Sequence, residues 1–131
     1  MKAIRTYLLL LAVFATTHAL SQKAFETVVY RGKVNNSFVK FSLADGYVAA
    51  SKLTTSAAGS RQVKTYLPAD SQPDDRHLVM QRASAAGKSQ SDYFVIDLDA
   101  TADAIPSTLT CRYFVKGKSY KCYLRKGAKK S

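Results

Sequence analysis

Residues 27–44 read TVVYRGKVNNSFVKFSLA. Val28, Tyr30, Gly32 and Val34 alternate with Val29, Arg31 and Lys33, the two-residue period of a strand with one covered face. Asn35-Asn36 follows, and asparagine tolerates the positive φ of a tight turn. Val39, Phe41 and Leu43 then share one face of a return strand over 37–44. A two-residue turn places Tyr30 opposite Phe41 and Val28 opposite Leu43. It also places Arg31 opposite Lys40, with Lys33 opposite Phe38, on the other face. Asp45-Gly46 is a second hairpin signal. It predicts a third strand over 47–53, with Leu43 opposite Val48 and Phe41 opposite Ala50. In that register one apolar face continues through both turns, whereas a one-residue slip would turn every side chain to the wrong face.

The C-terminal stretch repeats the pattern. Leu109, Cys111, Tyr113 and Val115 line one face of an outgoing strand, and Tyr120, Cys122 and Leu124 the matching face of its return. Pairing across the turn sets Leu109 against Leu124, Cys111 against Cys122 and Tyr113 against Tyr120. Opposed residues in an antiparallel ladder have Cα atoms about 4.5–5.5 Å apart, a span that a disulfide accepts. So short a loop stabilises by at most ~2–3 kcal/mol. A C-x-x-C redox pair is not present.

Between these hairpins, 62–67, 77–82 and 93–98 read as three more strands. The last, YFVIDL, is nearly continuous in apolar residues, as for a strand covered on both faces. TSAAGS, PADSQPDDR, SAAGKSQS and DATADAIPS read as loops, with room for one helical turn over 99–105. The fold class this implies is all-β: a small antiparallel barrel or sandwich of about seven to eight strands, rich in hairpins.

The first 21 residues read as a secretory signal peptide. Lys2 and Arg5 make a positive start, Tyr7–Ala15 is an apolar run of nine, and Ala19 and Ser21 are small residues before a cut. Nine residues are too few to span a bilayer, which needs about 20. The expected organisation is 1–21 signal peptide, 22–125 a single β domain and 126–131 a basic disordered tail. The compartment implied is secreted or periplasmic, and an even cysteine count there argues for the disulfide. Without Lys2 and Arg5, 18 of the 20 basic side chains remain against 9 acidic ones, a formal charge of +9. From Pro106 onward there are eight Lys or Arg and no acid. A balance this basic favours acidic polysaccharide, anionic lipid headgroups or extracellular nucleic acid as partners. The bland use of such charge is solubility.

Catalytic patterns are sparse. His77 is the one histidine after the leader, and no serine sits in a G-x-S-x-G elbow. Bonded cysteines and one histidine cannot make a zinc site. Asp97, Asp99, Thr101 and Asp103 alternate oxygen side chains, but Ala102 and Thr108 stand where a calcium loop needs glycine and glutamate. A paired-carboxylate glycosidase site lacks sugar-stacking tryptophan, since the chain has none. No catalytic residue, metal site or cofactor is therefore assigned.

The remaining signal is basic and aromatic. The outer face of the last hairpin carries Arg112, Phe114, Lys121, Tyr123 and Arg125, with Arg112 opposite Lys121. Like charges directly opposed are destabilising by an amount of the order of ~0.2–1 kcal/mol, and an anion between them relieves this. Rings beside cations are also how single-stranded nucleic acid is held. Lysines on edge strands, however, also serve simply to keep sheets apart. The expected site is Arg31, Lys40, Arg112, Phe114, Lys121 and Tyr123, on an exported, non-enzymatic binding module for an anionic polymer or surface. The alternatives are a structural or protein-interaction domain of the cell envelope, with an envelope protein as partner, and a small secreted hydrolase using His77.

Overall fold

A computed structural model describes residues 26–98 and 104–127. The expected leader (1–21) lies outside them, as do Asp99, Thr101 and Asp103 of the weak calcium pattern and residues 128–131 of the expected tail. Among the described residues eight strands follow one another: β1 (Glu26–Val34), β2 (Ser37–Asp45), β3 (Lys52–Ala57), β4 (Val63–Pro68), β5 (His77–Ser84), β6 (Gly87–Asp97), β7 (Thr108–Val115) and β8 (Lys118–Lys126). Each pairs antiparallel with the next, and β8 returns to β1, closing a barrel. Among the expected architectures it is thus the barrel, not the sandwich, that forms.

The alternation sends one set of side chains inward. Tyr30, Val39, Phe41, Leu53, Tyr66, Met80, Phe94, Ile96, Leu109 and Leu124 are at most 2% exposed and form one core. An eight-stranded barrel encloses a space just wide enough for side chains, or for one small ligand. The β1–β2 register is the expected one, with Tyr30 opposite Phe41 and Val28 opposite Leu43. So is that of β7–β8, with Cys111 opposite Cys122. These two cysteines form a disulfide with Cα atoms 5.2 Å apart. The barrel closes where Gly32 of β1 meets β8. A Cβ at that position would run into the Tyr123 carbonyl and the Leu124 side chain, so the seam requires glycine.

Four expectations are corrected. The third strand runs from Lys52 to Ala57, not over 47–53, and Phe41 lies opposite Leu53 rather than Ala50. A two-residue hairpin turn of the primed kind that Asp-Gly favours needs positive φ at both central residues, but only Gly46 has it, at 89°. The chain instead leaves the ladder through a short 3-10 turn at Val48–Ala50, and β-branched Thr54 and Thr55 take the strand positions that alanines fill poorly. SAAGKSQS is not a loop: Ala85-Ala86 turn a β5–β6 hairpin, and β6 begins at Gly87. Its polar composition hides the strand because most of its residues, Ser84–Lys88 and Ser91, are exposed. YFVIDL is fully buried on one face only: Phe94 and Ile96 are fully buried, whereas Tyr93 and Val95 on the outside are only partly covered. Finally, β8 continues to Lys126, and the Gly127 N–H bonds to the Val29 carbonyl at 2.8 Å, so the ladder with β1 carries order past the expected boundary at 125.

Candidate functional site

Two regions could bind something: the outer wall over β7–β8–β1–β2 and the mouth of the barrel. In the closed sheet β8 lies beside β1, which makes the two basic hairpins neighbours. Arg31 lies opposite both Lys40 and Arg125, a row of three cations across three strands. Adjacent strands are about 4.8 Å apart. Arg112 lies opposite Lys121, and Tyr123 stands between Lys121 and Arg125 on the same face of β8. All five cations are exposed, and among the described residues none has a carboxylate partner. The four cations expected in the site, Arg31, Lys40, Arg112 and Lys121, therefore sit on adjoining strands of one wall.

The rings behave less uniformly. Tyr123 is 58% exposed, with the Lys121 ammonium 5.5 Å from its centroid. Phe38 is 53% exposed and carries Lys33 in the same way. Phe114 is half-buried and stacked on Tyr93, with centroids 4.9 Å apart. Its face is taken, so it is not the free flat contact that alternation alone implied. Arg31, Lys40 and Phe38 line a shallow groove of about 330 Å³ with Gly32, Val39, Thr54, Ser56 and Val63.

The mouth was not foreseen. The end carrying the 35–36, 85–86 and 116–117 turns is the upper end. There a cup of about 200 Å³ opens between Val34, Asn35, Ser37, Thr55, Ala57, Ser60, Gln62, Lys64, Tyr66, Phe94 and Tyr113. Beside it Asp92 is 3% exposed. The Tyr66 hydroxyl donates to Asp92 Oδ2 at 2.5 Å and the Tyr113 hydroxyl to the same oxygen at 2.8 Å. Asp92 Oδ1 accepts from Ser91 Oγ at 3.1 Å and lies 3.4 Å from Arg82 Nη1. Phe94 packs between the two tyrosines, edge-on to Tyr66 at 4.9 Å and stacked on Tyr113 at 4.5 Å.

Burial by itself would raise the Asp92 carboxyl; the bonds from Tyr66, Tyr113 and Ser91 and the Arg82 charge outweigh it and hold the group below its ordinary value. Burial first, and then the Asp92 bond, push both phenols above theirs. The arrangement is a carboxylate kept ionised and two tyrosines kept protonated. One signal could have located it. Carrying the alternation of Phe94, Ile96 and Leu98 back by two residues puts Asp92 on the inward face, but the chain before Tyr93 read as a loop.

His77 opens β5 at the opposite end, where its Nδ1 lies 3.0 Å from Asp74 Oδ2. Asp74 Oδ1 also accepts the Arg76 and His77 N–H groups; the bond from His77 leads the causes that lower its carboxyl. Among the described residues no group of three His, Cys, Asp or Glu could hold a metal ion, and no helix is long and apolar enough to cross a membrane. The barrel also carries charge on its outer wall and an apolar core within, with the Asp92 cluster at one end. That is the reverse of a membrane-spanning barrel, in which each Lys or Arg on the lipid face costs ~2–4 kcal/mol at the midplane. Compared with known protein families, curated proteins and solved structures, the chain matches none.

Proposed function

We propose that this chain is an exported, non-enzymatic binding module that holds an anionic polymer or surface against the β7–β8–β1–β2 wall. One observation carries the reading. Arg125, Arg31 and Lys40 form a row across three paired strands, and Arg112 with Lys121 a second pair on the same wall. Each directly opposed like pair costs something in the range of ~0.2–1 kcal/mol. A phosphate, sulfate or carboxylate lying across the strands offsets that cost and releases counterions. Tyr123, between the rows, supplies a ring contact. The Cys111–Cys122 bond is consistent with a secreted or periplasmic location.

Heparin chromatography tests the reading. Arg112→Ala with Lys121→Ala should elute at clearly lower salt than Arg61→Ala with Lys64→Ala, which removes the same charge elsewhere. Equal elution of the two double variants would mean that attraction follows total charge alone. The reading would then pass to a protein-interaction domain, for which exposed Phe38 and Val63 on the groove are the support: 53% and 60% of their surface is free.

A further inference from the structure

We propose that the barrel mouth is a second binding site, independent of the outer wall, which takes one neutral six-membered ring bearing a hydroxyl or amino hydrogen-bond donor. Size sets the first limit. An apolar cavity of about 150 Å³ accepts benzene, so a cup of about 200 Å³ holds one ring with one or two small substituents. The tyrosines set the second. Tyr66 and Tyr113 both border the cup, and each has given its single hydroxyl proton to Asp92; Tyr66 is fully buried, so Tyr113 is the one that a ligand can meet. A phenol oxygen whose proton is so committed can only accept from a ligand. The floor therefore asks for a donor.

Charge sets the third limit. Asp92 does not itself line the cup, yet it stands directly behind both phenols as a carboxylate, with Arg82 only loosely opposed at 3.4 Å. An anionic group at the floor would meet that field in a low-dielectric setting, whereas Lys64, the one charged side chain of the lining, is exposed to solvent, which screens it. Val34 and Ala57 give an apolar wall, Thr55 a polar one, and Phe94 fixes the angle of both tyrosines. The phenols remain protonated across the ordinary pH range, since burial and Asp92 both raise them. The acceptor character of the floor is thus constant.

Fluorine NMR on the full chain tests this with 4-fluorophenol, 4-fluorotoluene and 4-fluorobenzoate. Saturable binding of the phenol is expected, with the other two at least about tenfold weaker. Tyr113→Phe should weaken the phenol by about fivefold, the worth of one ordinary hydrogen bond, and leave the toluene unchanged. Ala57→Phe, which fills the mouth without touching the polar cluster, should abolish binding of all three, whereas Arg112→Ala with Lys121→Ala should change nothing. The proposal is overturned if no compound saturates, if Ala57→Phe still binds, or if the toluene or benzoate equals the phenol. Should Tyr113→Phe fail to fold, the ranking on the unaltered chain and the Ala57→Phe result still decide.

Discussion

The two ends of the barrel are made by the same eight strands and finish differently. At the lower end the described connecting residues, 46–51, 69–76 and 104–107, form longer stretches. They fold back and satisfy the groups they cover. Ser51 Oγ accepts the Ala44 N–H at 3.0 Å. The Gln72 side chain accepts from the Val79 N–H at 2.8 Å and donates to the Ala69 and Val79 carbonyls at 2.9 and 3.1 Å. Tyr30 reaches out of the core to donate to the Pro106 carbonyl at 2.7 Å. Leu43, Leu78, Leu98, Leu109 and Leu124 fill the space beneath, all at most 9% exposed. At the upper end three of the four connections are two-residue turns, which have no chain to spare for a cover. Thr55, Tyr66, Asp92 and Tyr113 bring polar groups inward there, beside apolar Val34 and Ala57, and the cup remains open. Loop length thus decides where a barrel can afford a polar interior: a covered end needs leucine, whereas a mouth tolerates a carboxylate once tyrosines hold it.

That contrast can be broken most forcefully at Asp92. Asp92→Ala leaves two buried phenols without their acceptor. At ~1–3 kcal/mol for each stranded group, urea unfolding should show a loss of ~3–4 kcal/mol. A loss under about 1 kcal/mol would mean that water entering the cup replaces the carboxylate, and that the mouth is wetter than its burial implies. The same site gives a pH signature. The folded Asp92 carboxyl lies below its ordinary value, so its contribution is fully present above the unfolded pKa of about 3.9 and fades as pH falls through the lower folded value. Stability measured from pH 5 downward should fall more steeply in the unaltered chain than in Asp92→Ala; parallel curves would contradict the linkage.

Next in size is the disulfide, which ties β7 to β8 between the two ends. Replacing both Cys111 and Cys122 with serine should cost ~2–3 kcal/mol and leave the strand content unchanged by circular dichroism. The smallest effect is expected at the lower end. Tyr30→Phe loses a single bond to Pro106, about 1 kcal/mol, and should keep the acid dependence that Asp92→Ala loses. If Tyr30→Phe cost as much as Asp92→Ala, the lower end would depend on polar caps as heavily as the upper, and the distinction between them would fail.

The sequence was most legible where alternation and turn chemistry agree. Around Asn35-Asn36 and between Cys111 and Cys122, a two-residue turn joins strands of matching faces, and both registers followed directly. It was least legible where the two disagree. Asp45-Gly46 has the composition of a tight hairpin but opens into the Val48–Ala50 turn, which shifts β3 downstream. Gly87–Asp92 is strand with the composition of loop, because Gly87, Lys88 and Ser91 are exposed while Asp92 is buried. Misreading that stretch also concealed Asp92, and with it the meeting of Tyr66 and Tyr113, whose partners come from three separate strands. On the wall, the opposed cations followed from hairpin register alone, whereas the fate of Phe114 did not: Tyr93, which covers it, belongs to a different hairpin.

By itself the sequence determined which residues of the first and last hairpins face inward, that these two hairpins form and that Cys111 would meet Cys122, because period and turn are local and each strand carries them internally. Closure was decided only in three dimensions. Whether β8 returns to β1 depends on accumulated twist and on the one close approach at Gly32, and that closure brings the row Arg125, Arg31 and Lys40 together. The cup, likewise, exists only once eight strands surround it, since a cavity is a property of what encloses a space and no single segment contains it.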